Sequence, residues 1–282
     1  MISASLVVTT YNWKEALELC LRSVAGQTVL PLEVIVADDG SRADTGELVR
    51  AMAKDFPVPL KHVWQEDVGF RAARVRNLGT AASAGDYVIF IDGDMILHPR
   101  FVEDHLALIQ PGIYLQGGRL NISPEGSLGL LAGGKPRFSP FMPFVKGLSG
   151  ESKPKHAFHS MFLARIRAAD REYGGVPMSC NMGIWRKDLD RVNGFDDAYE
   201  GWGREDDDLA CRLFHAGVER RRMRYAGLAI HLWHKTRWPD GVPPTLEIPN
   251  DKLLRRARET KSTWAERGLA DHVAQAGHAN VA

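Results

Sequence analysis

The sequence predicts an α/β protein built on a mostly parallel sheet with helices on both faces. Short β-branched runs recur through the first half of the chain, and the segments between them carry apolar residues at helical spacing. Acidic or aromatic residues stand just past the ends of those runs, where open α/β sheets bind ligands. Runs and helices alternating in this way are βαβ units.

The chain bears this out in order. Residues 5–9 form an apolar run, then Asn12 is expected to cap a helix over 13–25 that stops at Gly26. Residues 32–37 (LEVIVA) read as a second strand ending in Asp38-Asp39-Gly40-Ser41, followed by a helix over 44–54. A third strand is expected at 61–65, a helix rich in small residues at 71–84, and a fourth strand at 87–91 that runs into Asp92-Gly93-Asp94. Pro99 opens a helix through about 109. Residues 116–177 change character: Gly and Pro are frequent, periodicity weakens, and Lys135, Arg137, Lys146, Lys153 and Lys155 are scattered through them. Long stretches of this kind inside compact domains are often lids, so a mobile loop over 120–177 is expected, with a short helix at 165–172. Order returns with a strand at 182–185, a helix at 187–192, the segment GWGREDDD at 201–208, a helix from there to Gly217, and a strand at 226–230. A proline-rich connector (239–249) and a basic helix (252–267) close the reading.

With 282 residues, 44% of them hydrophobic and 25% charged, the chain suits one large soluble domain or two fused halves. Lys+Arg 36 against Asp+Glu 35 argues against general nucleic-acid binding. The three cysteines, Cys20, Cys180 and Cys211, have neither disulfide-framework nor metal-site spacing, which fits a reducing compartment. No apolar run approaches the roughly 20 residues of a spanning helix. A cytoplasmic location is therefore expected, and any membrane contact should be peripheral.

Three clusters point to chemistry. In GWGREDDD, Asp206, Asp207 and Asp208 fall in a first helical turn, where the macrodipole favours anions, so a simple acidic cap is one reading. The preceding Gly201-Trp202-Gly203 supports another, because glycines let a ligand approach the backbone and an indole can stack on a sugar ring. Asp92-Gly93-Asp94 offers hard oxygen ligands at a strand end, which suit Mg²⁺ or Mn²⁺, and an imidazole such as His231 of HLWH can complete a divalent site. Asp39 is placed either to cap a helix or to accept the N3–H of a uracil, with Tyr11 stacked on the base. Of the arginines at 71–76, Arg71 and Arg76 are candidates to touch a nucleotide, whereas Arg74 reads as solvent-facing. GxGxxG, GxSxG, Walker and HExxH motifs are absent.

Together VVTTYN, ADDGS, GFRAARVRNLG and IFIDGD resemble the family-2 nucleotide-sugar glycosyltransferases of the GT-A fold. NMGIWRKDLDRVNGFDDAYEGWGREDDDLACRL through HLWHK resembles a segment of β-1,4-galactosyltransferases and bacterial chondroitin-type polymerases. The resemblance implies a Rossmann-like sheet over 1–115 that binds the nucleotide-sugar, an acceptor-binding and catalytic half over 116–240, and a C-terminal connector and basic helix over 241–282. It assigns the nucleotide to Thr9, Tyr11, Asp39, Arg71, Arg76 and Asp92, and the metal to Asp94 and His231. Trp202, Gly203, Glu205 and Asp207 would bind sugar or acceptor, and Asp206 would be the catalytic base. The implied reaction is metal-dependent, inverting transfer from a UDP-sugar to a glycan or glycolipid hydroxyl on a bacterial surface polysaccharide, with Mn²⁺ as cofactor and Mg²⁺ as the alternative. Arg204 departs from the glycine often found after GWG in that family. The rival readings are a retaining transferase of polypeptide-GalNAc type, a nucleotidyltransferase, and a sugar-binding module without activity.

Overall fold

The computed structural model describes residues 2–139, 157–166, 177–235 and 248–279. Its strands in chain order are β1 (Ala4–Thr10), β2 (Glu33–Asp38), β3 (Leu60–Trp64), β4 (Tyr87–Asp92), β5 (Met95–Leu97), β6 (Ile113–Gln116), β7 (Leu120–Asn121), β8 (Asn181–Trp185), β9 (Glu219–Arg222) and β10 (Ala229–His231). The helices are α1 (Lys14–Ala25), α2 (Ala43–Ala53), α3 (Ala72–Ala81), α4 (Phe101–Leu108), α5 (Pro124–Leu131), α6 (Met161–Ile166), α7 (Arg186–Val192), α8 (Glu205–His215), α9 (Pro249–Glu259) and α10 (Leu269–Ala279).

A seven-stranded sheet in the order β3-β2-β1-β4-β8-β6-β9 forms the centre. Its first four strands are parallel, as the βαβ spacing predicts. The second half departs from that expectation. β8 runs antiparallel to both β4 and β6, so the sheet is mixed and strands from both halves of the chain complete it. Side chains alternate between two helical layers, because successive strand residues point to opposite faces. Leu6, Val8, Val34, Val36, Ile89 and Ile91 meet Leu17, Leu21, Phe101 and Val102 of α1 and α4. Val7, Ile35, Val88 and Phe90 meet Val75, Leu189, Leu209 and Leu213 of α3, α7 and α8. Each fully buried Val, Leu or Ile contributes roughly 1.5–3 kcal/mol relative to exposure. Two-sided burial is why these strands read as continuous apolar runs.

A second sheet, β5-β10-β7, packs Ile96, Leu120, Ile230 and Leu232 into a smaller core. Its strands have two or three residues, too few for any periodicity to mark. The expected structureless excursion from 116 is corrected here: it contains β7 and α5, whose N-cap Ser123 accepts a bond from Gly126 N–H at 3.1 Å. Lys146, Lys153 and Lys155, residues 167–172 of the expected short helix, and most of the proline-rich connector lie outside the described residues. The basic helix ends at Glu259 rather than 267, and α10 follows it. Asn12 does not cap α1. It adopts a left-handed conformation (φ 49°), and its side-chain oxygen accepts a bond from Arg42 N–H, tying the β1 turn to the start of α2. Among the described residues, no helix is long and apolar enough to cross a membrane.

Candidate active site

The parallel register sets Thr9 beside Asp92 and Thr10 beside Asp38, so the β1, β2 and β4 ends share one edge. Asp39, one residue past β2, donates its N–H to the Thr10 carbonyl (3.0 Å) and accepts the Arg71 N–H (3.0 Å) and the Gln65 side-chain amide. Burial pushes its carboxyl up, against those donors, which favour the charged form. Tyr11 donates to Asp67 (2.9 Å), and Tyr11, Asp39, Asp67, Gly69 and Phe70 line an open pocket. Gly40 (φ 92°) is required beneath it, since a Cβ there would lie 2.6 Å from the Asp67 backbone. The Arg71 guanidinium turns back onto the Glu66 carbonyl. Arg74, expected in solvent, instead donates to Gln65 at 2.6 Å and so steadies the amide that holds Asp39.

Asp94 leaves the β4 turn with its Oδ2 3.4 Å from Nε2 of both His231 and His234. Pairing of β10 with β5 sets His231 opposite Met95, and Leu232 N–H closes on the Asp94 carbonyl (3.0 Å). His234 Nδ1 lies 2.7 Å from the Lys235 carbonyl. A carbonyl only accepts, so Nδ1 carries a proton, and Nε2 is the nitrogen turned toward Asp94. Burial disfavours the Asp94 charge, yet His231, His234 and Arg119 together hold its carboxyl below the usual range. Asp94 Oδ1 is buried without a partner. One carboxylate, with an oxygen that makes no hydrogen bond, and two imidazoles each offer a ligand atom within 4.8 Å of the others, a donor set that fits a divalent cation of the Mn²⁺ type.

Arg76 binds the two halves together. It is 5% exposed, over the Phe195 ring, with Nη1 3.1 Å from Glu205 and 3.7 Å from Asp206, and Nη2 3.5 Å from Asp92. Its guanidinium thus faces three carboxylates, where the sequence suggested a nucleotide. Asp206, in the first turn of α8, accepts the Ser179 N–H through Oδ2 (3.0 Å), and its buried Oδ1 makes no hydrogen bond, its charged neighbour Arg76 Nη1 standing 3.7 Å away. Burial first, then the neighbouring Glu205, push its carboxyl up to about 6, against the pull of Arg76. Asp92 is likewise raised by burial and by Asp94 and Asp206, with Arg76 and Arg119 opposing.

The remaining acids of α8 divide. Asp207 pairs with Arg204 (3.5 Å), while Asp208 accepts from buried Arg212 (2.8 Å), whose other nitrogen holds the Val192 and Gly194 carbonyls. Ahead of them Gly201 (φ 75°), Gly203 (φ 92°) and Arg204 (φ 76°) are all left-handed, and the turn they make exposes Trp202. Gly201 N–H donates to the Phe70 carbonyl (2.8 Å), joining this turn to the Tyr11 pocket. On its other side Asn250 donates to the Gly203 carbonyl (2.8 Å), and Arg204 Nε donates to Asp251 (2.6 Å).

The profile of glycosyl transferase family 2 matches residues 5–174, more than half of the chain. The chain belongs to glycosyltransferase family 2. A second match, described as the N-terminal domain of galactosyltransferase, covers residues 162–235, which includes GWGREDDD and both histidines beside Asp94. This family-2 chain is 31% identical over 234 residues to validoxylamine A glucosyltransferase of Streptomyces hygroscopicus subsp. limoneus, covering 76% of this chain and 48% of that protein. It is 29% identical over 249 residues to chondroitin synthase of Escherichia coli, covering 80% of this chain and 34% of the synthase. The family-2 chain therefore spans about a third to a half of these relatives' length. The solved structure of GalNAc-T7 with UDP, GalNAc and Mn²⁺ superposes with a TM-score of 0.62 at 16% identity, covering 92% of this chain and 48% of that one, and shares the GT-A fold.

In this family-2 chain, Thr9, Tyr11, Asp39, Asp92, Asp94, Glu205, Asp206 and His231 all lie along one edge or its facing helix start. His234, the alternative to His231, stands at the same distance from Asp94. Sequence reading missed Asp67, Gln65, Ser179 and Arg119, none of which sits in a motif. Nor does any local pattern mark the contacts of Asn250 and Asp251 with Gly203 and Arg204, which lie 47 residues away.

Proposed function

We propose that the protein moves a hexose or N-acetylhexosamine from a UDP-sugar to a hydroxyl of a glycan or glycolipid, inverting the anomeric centre. The observation that carries this reading is the single Arg76 guanidinium shared by Asp92, Glu205 and Asp206. It sets a strand-end acid of the nucleotide half against the helix-start acids of the other half. A site so built can hold a donor on one side and deprotonate an acceptor on the other.

Tyr11 would stack on the uracil while Asp39 accepts its N3–H, with Thr9, Arg71 and Asp92 around the ribose and phosphates. Trp202 would stack on a sugar ring, and Glu205 would accept bonds from its hydroxyls. Asp206 Oδ1, which makes no hydrogen bond, would take the acceptor proton as the acceptor oxygen bonds to the anomeric carbon. The bond from that carbon to the diphosphate breaks and its electron pair leaves with UDP. A positioned base of this kind contributes roughly 10²–10⁴ in rate. Asp94, His231 and His234 would hold a divalent ion, Mn²⁺ or Mg²⁺, which when bound supplies Lewis-acid neutralisation of the diphosphate. An α-linked donor would give a β-glycoside.

The names of the relatives, a polysaccharide synthase and a glucosyltransferase, support the reaction class. A bacterial surface glycan, such as lipopolysaccharide, O-antigen or capsule, is the acceptor we favour. UDP release from a panel of UDP-sugars, with Mn²⁺ and with chelator, tests the reading without an acceptor. Metal-dependent release from one donor is expected. No release together with no UDP binding by calorimetry would reject it.

A further inference from the structure

The Trp202 turn holds an unfavourable conformation that its own residues do not explain. Arg204 has φ 76°, a region that strains any side chain with a Cβ, yet it stands directly before Glu205 and Asp206. Such a residue persists only where its surroundings over-determine it. The start of α9 supplies that restraint. Asp251 accepts the Arg204 Nε through Oδ1 (2.6 Å) and the Ile248 N–H through Oδ2 (2.8 Å), so one carboxylate caps α9 and fixes the strained arginine. Asn250, 4% exposed, donates its side-chain amide to the Gly203 carbonyl (2.8 Å). Ile248 completes the contact, its Cδ1 lying 3.4 Å from where a Gly203 Cβ would stand.

We propose that Asn250 and Asp251 are positioning residues of the transfer reaction, holding Trp202 and Asp206 in register through Gly203 and Arg204. The proposal rests on the base role given above to Asp206. The chain thereby encloses its site from three sides: Phe70 holds the turn at Gly201, Arg76 holds Glu205, and α9 holds Gly203 and Arg204 between them. A glycine at 204 would adopt this φ without strain. Arg204 with Asp251 is instead a matched pair, in which the strained residue is useful only with its anchor.

The test uses the full chain, UDP release from the donor turned over fastest with Mn²⁺ present, and UDP binding by calorimetry. Asn250→Ala and Asp251→Asn are each expected to lower kcat for release about tenfold while leaving UDP affinity unchanged. Asp251→Glu should restore most of the rate. Arg204→Gly combined with Asp251→Asn should fall no further than Asp251→Asn alone, because both act through one contact. Amide exchange across residues 201–208 should quicken in Asp251→Asn, a readout that stands even if no UDP-sugar is turned over. Wild type without turnover would therefore sink the reaction, not the clamp. Unchanged kcat in both single variants, additive losses in the double variant, UDP affinity falling in step with kcat, or unchanged exchange at 201–208 would each overturn the proposal.

Discussion

Arg76 and Glu205 stand 129 residues apart in sequence and are joined by a 3.1 Å hydrogen bond in the interior. The bond sits where α3, packed on the parallel strands, meets the start of α8. Around that guanidinium the protein gathers three carboxylates, Asp92, Glu205 and Asp206, more negative charge than one cation neutralises. Burial, then the neighbouring Glu205, raises the Asp206 carboxyl, and Arg76 opposes both.

Arg76→Met should destabilise the fold by about 3–5 kcal/mol, since it leaves buried carboxylates without their counter-charge. Urea denaturation at pH 7 checks this. Arg76→Lys should recover only part of the loss, because an ammonium cannot span Asp92 and Glu205 as a planar fork does. A Met variant as stable as wild type would mean that the cation is not what permits these acids to be buried.

The parallel half of the fold and its strand-end acids were legible because β1, β2 and β4 are buried on both faces and end in Asp or Thr-Tyr. Periodicity and turn chemistry write that pattern directly. The reversal at β8 was not, since NMGIW reads as a strand of either direction and its partners are chosen by tertiary packing. Nor was the role of Arg76. The sequence offers Arg76 to a nucleotide, because the helix start whose acids cover it is encoded in the second half of the chain. GWGREDDD showed that a site was present but not which acid did what, because the helix rotates each successive carboxylate by about 100°.

The carboxyl of Asp206, raised to about 6, fixes the sign of the pH response. A base must be ionised, so kcat for UDP release at saturating Mn²⁺ and donor should fall as pH drops through about 6 and level off above it. The same shift has a stability consequence. The folded value lies above the unfolded value of about 3.9, so the stability this group contributes is present below about pH 4 and is lost as pH rises through about 6. A kcat profile flat from pH 5 to 8 would remove Asp206 as the base.

Loss of any of the three groups around the metal position should be read by Mn²⁺ affinity before activity. Asp94→Ala, His231→Ala and His234→Ala should each weaken Mn²⁺ binding at least about tenfold, and with it Mn²⁺-dependent UDP binding, while UDP affinity in chelator stays that of wild type. Calorimetric titration with MnCl₂ distinguishes the histidines. If His234→Ala binds Mn²⁺ as wild type does, the set contracts to Asp94 and His231.

Asp206 and Asp208 are two residues apart and identical in chemistry, yet their surroundings predict opposite failures. Asp208 is 2% exposed and bound to Arg212, which itself supports the Val192 and Gly194 carbonyls. Asp208→Asn should therefore cost about 3–5 kcal/mol of stability by leaving Arg212 buried without its counter-charge. Asp206 is crowded by Glu205 and has one oxygen without a hydrogen bond, while Ser179 N–H needs only a neutral acceptor. Asp206→Asn keeps that acceptor and removes one negative charge from the crowd, so its stability at pH 7 should equal or exceed wild type. Its UDP release should nonetheless fall roughly 10²–10⁴-fold with UDP binding retained. Thermal melts and release assays on the two variants separate the roles. A stable, active Asp208→Asn protein would show that the Arg212 pair contributes little, and an active Asp206→Asn protein would return the acidic run to a helix cap.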